Sequence, residues 1–552
     1  MNKKVLLILG AGKISSNLTG ELGDIYTSNI PLPGQLFIDN LIGKSLASYT
    51  AVFFTIDISK MELGRILSLK HSEATAIFTR SSDSVATTIL NFIQNCNIEM
   101  SSLDVIYADS FSSLLLEVDN NEVHDCIYTA ISDESENWDY VNRCNEGNLV
   151  ISKHDTRLDA RIITGSFTFS DIPLLAKCLE QVLILNKQRL QNDMKTQAFY
   201  ESIILYDSEL KTQVKLKQDV IWKDLGHRRT YFEQRRYLIS ESARVFNSLE
   251  FNLDKGWVIK RGDFTKIRNE MNWFQQFPDE LKAYIPHYEI GKDENSYSTQ
   301  YVSIIPMNEH WISENVSKDF WKHFFNKTEN MLEKFTLYTE ALEVEEMKVH
   351  KHYMYVDKII ERIDSLEDSM RSKQNISVKF YLLERNKKDW SELKSLVIEA
   401  GKKVSGLKHW NLIHGDLCLS NILFDAALNQ QKLIDPRGSF GKVGIYGDPL
   451  YDLIKLSQCI LGDYDYLAAN LYKIHAKGDS FSLEYPRPKS HEWIKEFFKE
   501  FLLDKLEFYG LDYFDFRLLE AGLLLSAASL HYENDRWFAL LLRANQILKE
   551  VS

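Results

Sequence analysis

The chain has 552 residues, a formal net charge of −13, 44% hydrophobic residues and 26% charged residues. That length exceeds what one hydrophobic core fills and predicts more than one domain. The acidic balance argues against a nucleic-acid partner, which would call for a basic face, and no apolar stretch approaches the roughly 18 residues that a membrane span needs.

The first predicted element is the apolar run over residues 3–10, which enters the turn Gly10-Ala11-Gly12-Lys13. It reads as a buried strand rather than a secretory segment, because the apolar part is too short. Glycines at Gly10 and Gly12 are what a turn needs if backbone amides, with Lys13, are to approach a phosphate. Further apolar strands are predicted at Ala51–Ile56 and Leu103–Ala108, with a helix at Val85–Ile93 between them. Such alternation predicts an α/β layer with a mostly parallel sheet. Ligands of such sheets sit beyond the carboxyl ends of the strands, where Asp109 falls. Much later, Ile221-Trp-Lys-Asp224-Leu-Gly226 places a second carboxylate before a glycine turn.

Together with Pro31-Leu-Pro-Gly-Gln-Leu-Phe-Ile-Asp-Asn-Leu-Ile42, these stretches resemble a sugar-phosphate nucleotidyltransferase over about residues 1–238. The resemblance implies a doubly wound, Rossmann-like GT-A domain. It also implies that Gly10, Gly12 and Lys13 bind the nucleotide, and that Asp109 and Asp224 jointly hold Mg²⁺ between the nucleotide and sugar phosphates. The chain departs from that family in having Ser15-Ser16-Asn17 where the loop carries an arginine, and Ile30 where a lysine is expected. Lys13 is then the loop's remaining cation.

A helix is predicted over Glu180–Thr196, and a charged helix over Thr230–Phe246 with Glu233, Arg235 and Arg236 on its solvated side. Arg244–Asn252, the turn Asp254-Lys-Gly256 and Trp257–Lys260 read as strand, turn and returning strand. A helix over Phe264–Phe277 carries Glu270, and Tyr297–Pro306 reads as a strand leading into a hinge. Amphipathic helices follow at Ser317–Ala341, Tyr355–Met370 and Lys387–Val404, with Trp321, Phe324, Phe325 and Leu332 as core.

The most informative stretch is Ile413–Gly438. Two apolar runs flank a loop with His414, Asp416 and Asn421, and the second run ends in Asp435. Phosphoryl transfer needs a carboxylate to orient the attacking hydroxyl and accept its proton, and oxygen ligands that hold Mg²⁺ against a triphosphate. Asp416 suits the first task, while Asn421 and Asp435 suit the second, since a hard cation takes carboxylate and amide oxygens. His414 would brace the loop, and Asp448 and Asp452 would anchor it through backbone amides.

His-Gly-Asp-Leu-x-x-x-Asn-Ile-Leu, then Ile-Asp, then Gly-Asp-Pro-x-x-Asp-Leu resembles the aminoglycoside phosphotransferase and choline kinase superfamily. The resemblance implies a bilobal protein-kinase-like phosphotransferase domain over residues 239–552, with a small lobe at 239–306 and a helical large lobe at 307–552. The fold class expected for the whole chain is therefore α/β plus α+β. In such a domain Lys260 grips the nucleotide phosphates and Glu270 orients it, while Asn247 and Ser248 stand where other kinases place glycines over the phosphates. Pro436-Arg437-Gly438 after the metal aspartate departs from regulated protein kinases.

The combined expectation is a bifunctional enzyme. The carboxyl half would use Mg²⁺ and ATP or another NTP to phosphorylate a sugar, amino sugar or choline-like acceptor, and the amino half would transfer a nucleotidyl group to the product for cell-surface polysaccharide synthesis. The alternatives are a kinase with a non-catalytic binding module, and a non-enzymatic nucleotide-binding assembly factor. Six cysteines without paired ligand spacing suit a reducing cytoplasm. The expected partners are the nucleotide and a small-molecule acceptor, with no nucleic acid and no membrane span, and an oligomer is left open.

Overall fold

The computed structural model describes residues 3–116, 124–131, 138–153, 160–186, 196–241, 247–252, 254–291, 295–315, 317–372, 381–383, 386–387, 390–477, 480–531 and 535–551. The chain divides into two compact units, residues 1–234 and 235–552. Among the described residues, no helix is long and apolar enough to cross a membrane.

The first unit is built on a nine-stranded sheet. Its opening half consists of β1 (Lys4–Leu9), β2 (Ala51–Asp57), β3 (Ala74–Thr79) and β4 (Ser102–Tyr107), parallel in the order β3-β2-β1-β4. Then come β5 (Cys126–Ile131), β6 (Tyr140–Arg143), β7 (Leu149–Ser152), β8 (Arg161–Phe169) and β9 (Lys215–Gln218). Strand β8 runs antiparallel to β4, β5 and β6 while β9 pairs parallel with β5, so the sheet keeps the predicted parallel core and adds antiparallel strands to it. Parallel pairing requires a crossover, usually a helix, and among the described residues no α-helix lies between β4 and β8.

Alternate side chains of a strand face opposite sides. Val5 and Leu7 of β1, with Leu103 and Val105 of β4, join Ile89, Leu175 and Phe199 in one core. Those three come from α-helices at Val85–Asn95, Ile172–Asn186 and Gln197–Glu209. Leu6 and Ile8 are equally buried towards the other side, and Phe37–Ser45 and Met61–Lys70 supply helices against β2 and β3. The helix predicted over Glu180–Thr196 thus begins earlier, at Ile172, because Asp171 accepts the Leu174 N–H at 3.0 Å and caps it there. Residues 187–195 lie outside the described residues, and Thr196 opens a second helix that the sequence reading did not separate.

The charged helix runs Arg228–Glu241, with residues 242–246 outside the described part. Glu233 is exposed as expected, but Arg235 is buried, which corrects the predicted solvated face. Both of its terminal nitrogens bind the Glu309 carboxylate, one at 2.9 Å. A bidentate partner of opposite charge is what lets a guanidinium leave water.

The second unit opens with β10 (Asn247–Asn252), β11 (Trp257–Gly262), β12 (Tyr288–Ile290) and β13 (Ser296–Gln300), an antiparallel sheet in the order β10-β11-β13-β12. The helix Phe264–Gln276 packs on β11 and β13, capped by the Asp263 carboxylate on the Lys266 N–H at 2.9 Å. Beyond residue 306 the unit is mainly helical. Helix Lys318–Thr336 ends short of the predicted Ala341, and buries Trp321, Phe324 and Phe325 while leaving Leu332 half-exposed. Helix Lys358–Ser372 follows a π-helical turn, Tyr353–Asp357. Trp390–Ser405 is the helix predicted from Lys387, but Lys387 itself lies in a short strand, Asn386–Lys387, paired with Tyr381–Leu383, and residues 388–389 are outside the described part.

Candidate functional site

In the first unit, β4 ends at Tyr107 and the chain turns at Asp109. Ser110 and Phe111 then pair antiparallel with Asp224 and Lys223, and the Leu225 N–H donates to the Asp109 carbonyl at 2.8 Å. That pairing brings two carboxylates, distant in sequence, to one glycine. A Cβ on Gly226 would lie 2.8 Å from Asp109 Oδ2 and 3.3 Å from Asp224 Oδ1. Burial, with the Asp224 charge beside it, pushes the Asp109 carboxyl up to about 6. Asp224 accepts the Gly226 N–H at 3.0 Å, the His227 N–H at 3.2 Å, and the Thr230 hydroxyl, and lies 3.0 Å from His227 Nδ1. Two adjacent carboxylates are donors of the type a divalent cation takes, but Asp224 is already engaged by these four contacts, and among the described residues no group of three or more His, Cys, Asp or Glu side chains stands together.

The glycine turn is differently engaged from what was expected of it. The N–H groups of Gly10 and Ala11 both donate to the Thr55 hydroxyl, at 2.9 and 3.3 Å. Gly10 must lack a Cβ, which would meet the Thr55 carbonyl oxygen at 2.7 Å. The Lys13 ammonium is 3.0 Å from the Asp24 carboxylate and 4.0 Å from the Tyr26 ring centroid. Gly12 faces open space.

In the second unit, Lys260 is buried on β11 with its ammonium 2.8 Å from Glu270 and 3.0 Å from Asp435. Burial would lower its pKa, but Asp435 and Glu270 outweigh that and hold it charged. The Tyr297 hydroxyl steadies Glu270 at 2.7 Å. Asp435 follows the hairpin of Ile422–Asp425 and Gln430–Leu433 and adopts a left-handed φ of 56°, which a short polar side chain tolerates. Its side chain is 48% exposed, with one oxygen on Lys260. Partial loss of water raises the pKa of Asp435, and the Lys260 ammonium outweighs that and keeps it low.

The loop before that hairpin is fixed from several sides. Asp452 accepts the N–H groups of His414 and Gly415 at 2.7 and 2.8 Å. Asp448 departs from the expectation: its carboxylate takes the Leu450 N–H, capping helix Pro449–Ile460, and meets Lys351 at 3.0 Å, both side chains fully buried, while Asp452 alone of the two holds the loop amides. His414 Nε2 lies 3.0 Å from the Ile434 carbonyl, and its Nδ1 accepts the Asp416 N–H at 3.3 Å. Burial pushes the His414 pKa down to about 4, so it is neutral and braces the loop without charge. Asn421 Nδ2 donates to the Asp416 carbonyl at 2.8 Å, which turns its amide oxygen away from that bond. The Asp416 carboxylate lies 2.9 Å from Lys455; burial opposes its ionisation, but Lys455 and Arg437 hold its pKa well below the usual carboxylate range.

No protein-family model matches the chain, and no curated protein matches it. Among solved structures, the CTP:phosphocholine cytidylyltransferase of Streptococcus pneumoniae is 11% identical, covers 43% of this chain and 99% of its own, and has a TM-score of 0.33. The inositol-1-phosphate CTP transferase of T. maritima is 14% identical, over 42% of this chain and 91% of its own, with a TM-score of 0.32. The nucleoside-diphosphate-sugar pyrophosphorylase of Vibrio cholerae is likewise 14% identical, over 42% and 99%, with a TM-score of 0.32.

The structure brings Lys260, Glu270 and Asp435 together, holds His414, Asp416 and Asn421 on one loop, and brings Asp109 to Asp224. Asn247 and Ser248 open β10 opposite Gly262 and Arg261, away from the turn at Asp254–Gly256, and the Asn247 side chain lies outside the described part. Lys455, Arg437, Tyr297 and Thr55 were missed. Lys455 had a signal, since Asp448, Asp452 and Lys455 share one helical face at spacings of four and three. Thr55 and Tyr297 had none.

Proposed function

We propose that the carboxyl-terminal unit transfers the γ-phosphoryl group of an NTP to a hydroxyl of a small metabolite, and that the amino-terminal unit is a nucleotidyl-transfer module acting on a sugar or alcohol phosphate. The observation that carries the first part is the meeting of Lys260 with both Glu270 and Asp435, beside a loop that presents Asp416 and Asn421.

Asn421 and Asp435 are the residues that would hold Mg²⁺: the Asn421 amide oxygen, which meets the Ser420 hydroxyl at 3.4 Å, and the Asp435 oxygen not on Lys260 are donors of the type a hard cation takes. When bound, the ion neutralises charge on the triphosphate. Lys260, kept charged and aimed by Glu270, grips the phosphates that remain on the nucleoside diphosphate. Asp416 aligns the acceptor hydroxyl. As the oxygen–phosphorus bond forms and the bond to the leaving β-phosphate oxygen breaks, the hydroxyl proton passes to Asp416 and on to solvent. Sequential phosphorylation and nucleotidyl transfer in one chain would give an activated building block for a cell-surface polymer.

A second reading makes the amino-terminal unit a binding module without turnover. It is supported by the Gly10 and Ala11 amides being engaged with Thr55, and Lys13 with Asp24. Pyrophosphate release with each NTP and a set of sugar and alcohol phosphates separates the two. Release with any pair supports nucleotidyl transfer, and none with every pair supports the module. Acceptor-dependent release of nucleoside diphosphate tests the phosphotransfer reading in the same preparation.

A further inference from the structure

We infer that the acceptor bound at the carboxyl-terminal site carries an oxyanion, a carboxylate or a phosphate, beside its reactive hydroxyl, and that Lys358, Arg362 and Arg437 hold it next to Asp416. This rests on the phosphotransfer reading above and names the substrate class of that site.

The chain is strongly acidic overall, yet the surroundings of Asp416 are cationic. Lys455 takes the Asp416 carboxylate at 2.9 Å. Arg437 donates its Nε–H to the Gly415 carbonyl at 3.0 Å and lies over the Tyr451 ring at 5.3 Å, and among the described residues its two terminal nitrogens have no hydrogen-bond partner. Arg362 gives one nitrogen to the neutral Ser526 hydroxyl at 3.1 Å. Among the described residues, Lys358 has no hydrogen-bonding or carboxylate partner, and the charges acting most strongly on it are those of Arg437, Arg362, Lys455 and Asp416. The other nearby carboxylate, Asp452, has both oxygens on the His414 and Gly415 N–H groups, and Glu361 is exposed to solvent.

Lys358 and Arg362 stand four residues apart, so they share one face of helix Lys358–Ser372. The π-helical turn Tyr353–Asp357 directly before them rotates that face relative to an unbroken helix, and such turns gather at functional sites. Like charges that lose water together raise the free energy of the empty site unless an anion joins them. Burial and the neighbouring cations push the Lys358 ammonium down to about 6, the sense expected of a site waiting for negative charge. A guanidinium fork meets carboxylate or phosphate oxygens two at a time. The same field repels a quaternary ammonium, which removes choline-like acceptors from the classes that the sequence left open.

The test offers the purified full chain, with Mg²⁺ and ATP, GTP, CTP or UTP, a matched set of acceptors: glycerol, glucose, glucosamine, choline, glycerate, gluconate and glycerol 3-phosphate. The anionic acceptors are expected to exceed the others in kcat/KM by about 100-fold, and Lys358→Gln and Arg362→Gln each to raise the anionic acceptor's KM about 10- to 100-fold, the range of one charge-assisted contact. The KM for nucleotide and the melting temperature stay unchanged, which shows that the variants fold. Preference for a neutral or cationic acceptor, or a rise in nucleotide KM instead, overturns the inference. Calorimetric binding of glycerate and glycerol 3-phosphate gives a readout without turnover. Anion binding that both substitutions abolish, with no acceptor phosphorylated, keeps the oxyanion site and sinks the phosphotransfer reading. Binding that survives both substitutions, or no binding to the unaltered chain, sinks the site.

Discussion

Asp416 and Asp435 are both aspartates held low against burial, but by different cations, and that difference separates their roles. Lys455 and Arg437 act on Asp416, while Lys260 acts on Asp435. Asp416→Ala is therefore expected to lower phosphoryl transfer by about 10²- to 10⁴-fold, the span of general acid–base help, with nucleotide binding retained. Asp435→Ala is expected to lose Mg²⁺-dependent nucleotide binding as well. Turnover assays beside fluorescent-nucleotide titration check both, and undiminished turnover in Asp416→Ala would remove the mechanism. Two histidines give a residue-scale pH dependence. Burial pushes the pKa of His414 from 6.5 down to about 4 and that of His310 to about 3. The unfolded chain binds those protons at higher pH than the folded one, so the stability they contribute is present above 6.5 and is lost as pH falls toward 4. Denaturant midpoints at pH 7.5, 6 and 5 should fall, and His310→Gln should flatten the slope. The placing of Asp416 and Asn421 on one loop, with Asp435 after the hairpin that follows, was legible because strand–loop–strand spacing is local. The Lys260–Glu270 pair was expected from the resemblance and is present, whereas the contact of Lys260 with Asp435 needed the fold to bring β11 and the segment after the hairpin together.

At the scale of elements, the loop after Asp435 and helix Phe264–Gln276 meet at Gly438. Its φ is 67°, and a Cβ there would lie 1.9 Å from the Asn269 carbonyl oxygen. Only glycine permits that approach, and it fixes the helix bearing Glu270 against the segment bearing Asp435. Trp273, on the same helix, donates to the Ile413 carbonyl at 2.8 Å. The charged helix Arg228–Glu241 shows where pattern reading fails. Its polar composition signalled a solvated surface, yet Arg235 belongs to a buried ion pair with Glu309. Arg235→Ala is expected to destabilise the unit by about 3–5 kcal/mol, because Glu309 is left charged and buried. Arg235→Met with Glu309→Leu should cost less, and urea unfolding of the two variants decides it. Equal losses would mean the pair matters through packing and not through charge.

For the molecule as a whole, the two carboxylate sites belong to separate units, so their chemistries are expected to be separable. Asp109→Asn should abolish nucleotidyl transfer and leave acceptor-dependent phosphoryl transfer unchanged, measured as pyrophosphate and nucleoside diphosphate release from one preparation. Loss of both would show that the units are coupled.

The sequence by itself determined the elements whose cause is local: the apolar strands β1, β2 and β4, the glycine turn at Gly10, and the spacing of His414, Asp416, Asn421 and Asp435. Period, turn chemistry and motif spacing act over a few residues and survive reading in one dimension. Only the tertiary structure decided that Thr55 takes the Gly10 and Ala11 amides, that Asp435 meets Lys260, and that Lys455 holds Asp416. It also gathered Lys358, Arg362 and Arg437 into one cationic field. Burial and charge set those partnerships across long stretches of chain, and neither quantity exists until the chain has packed.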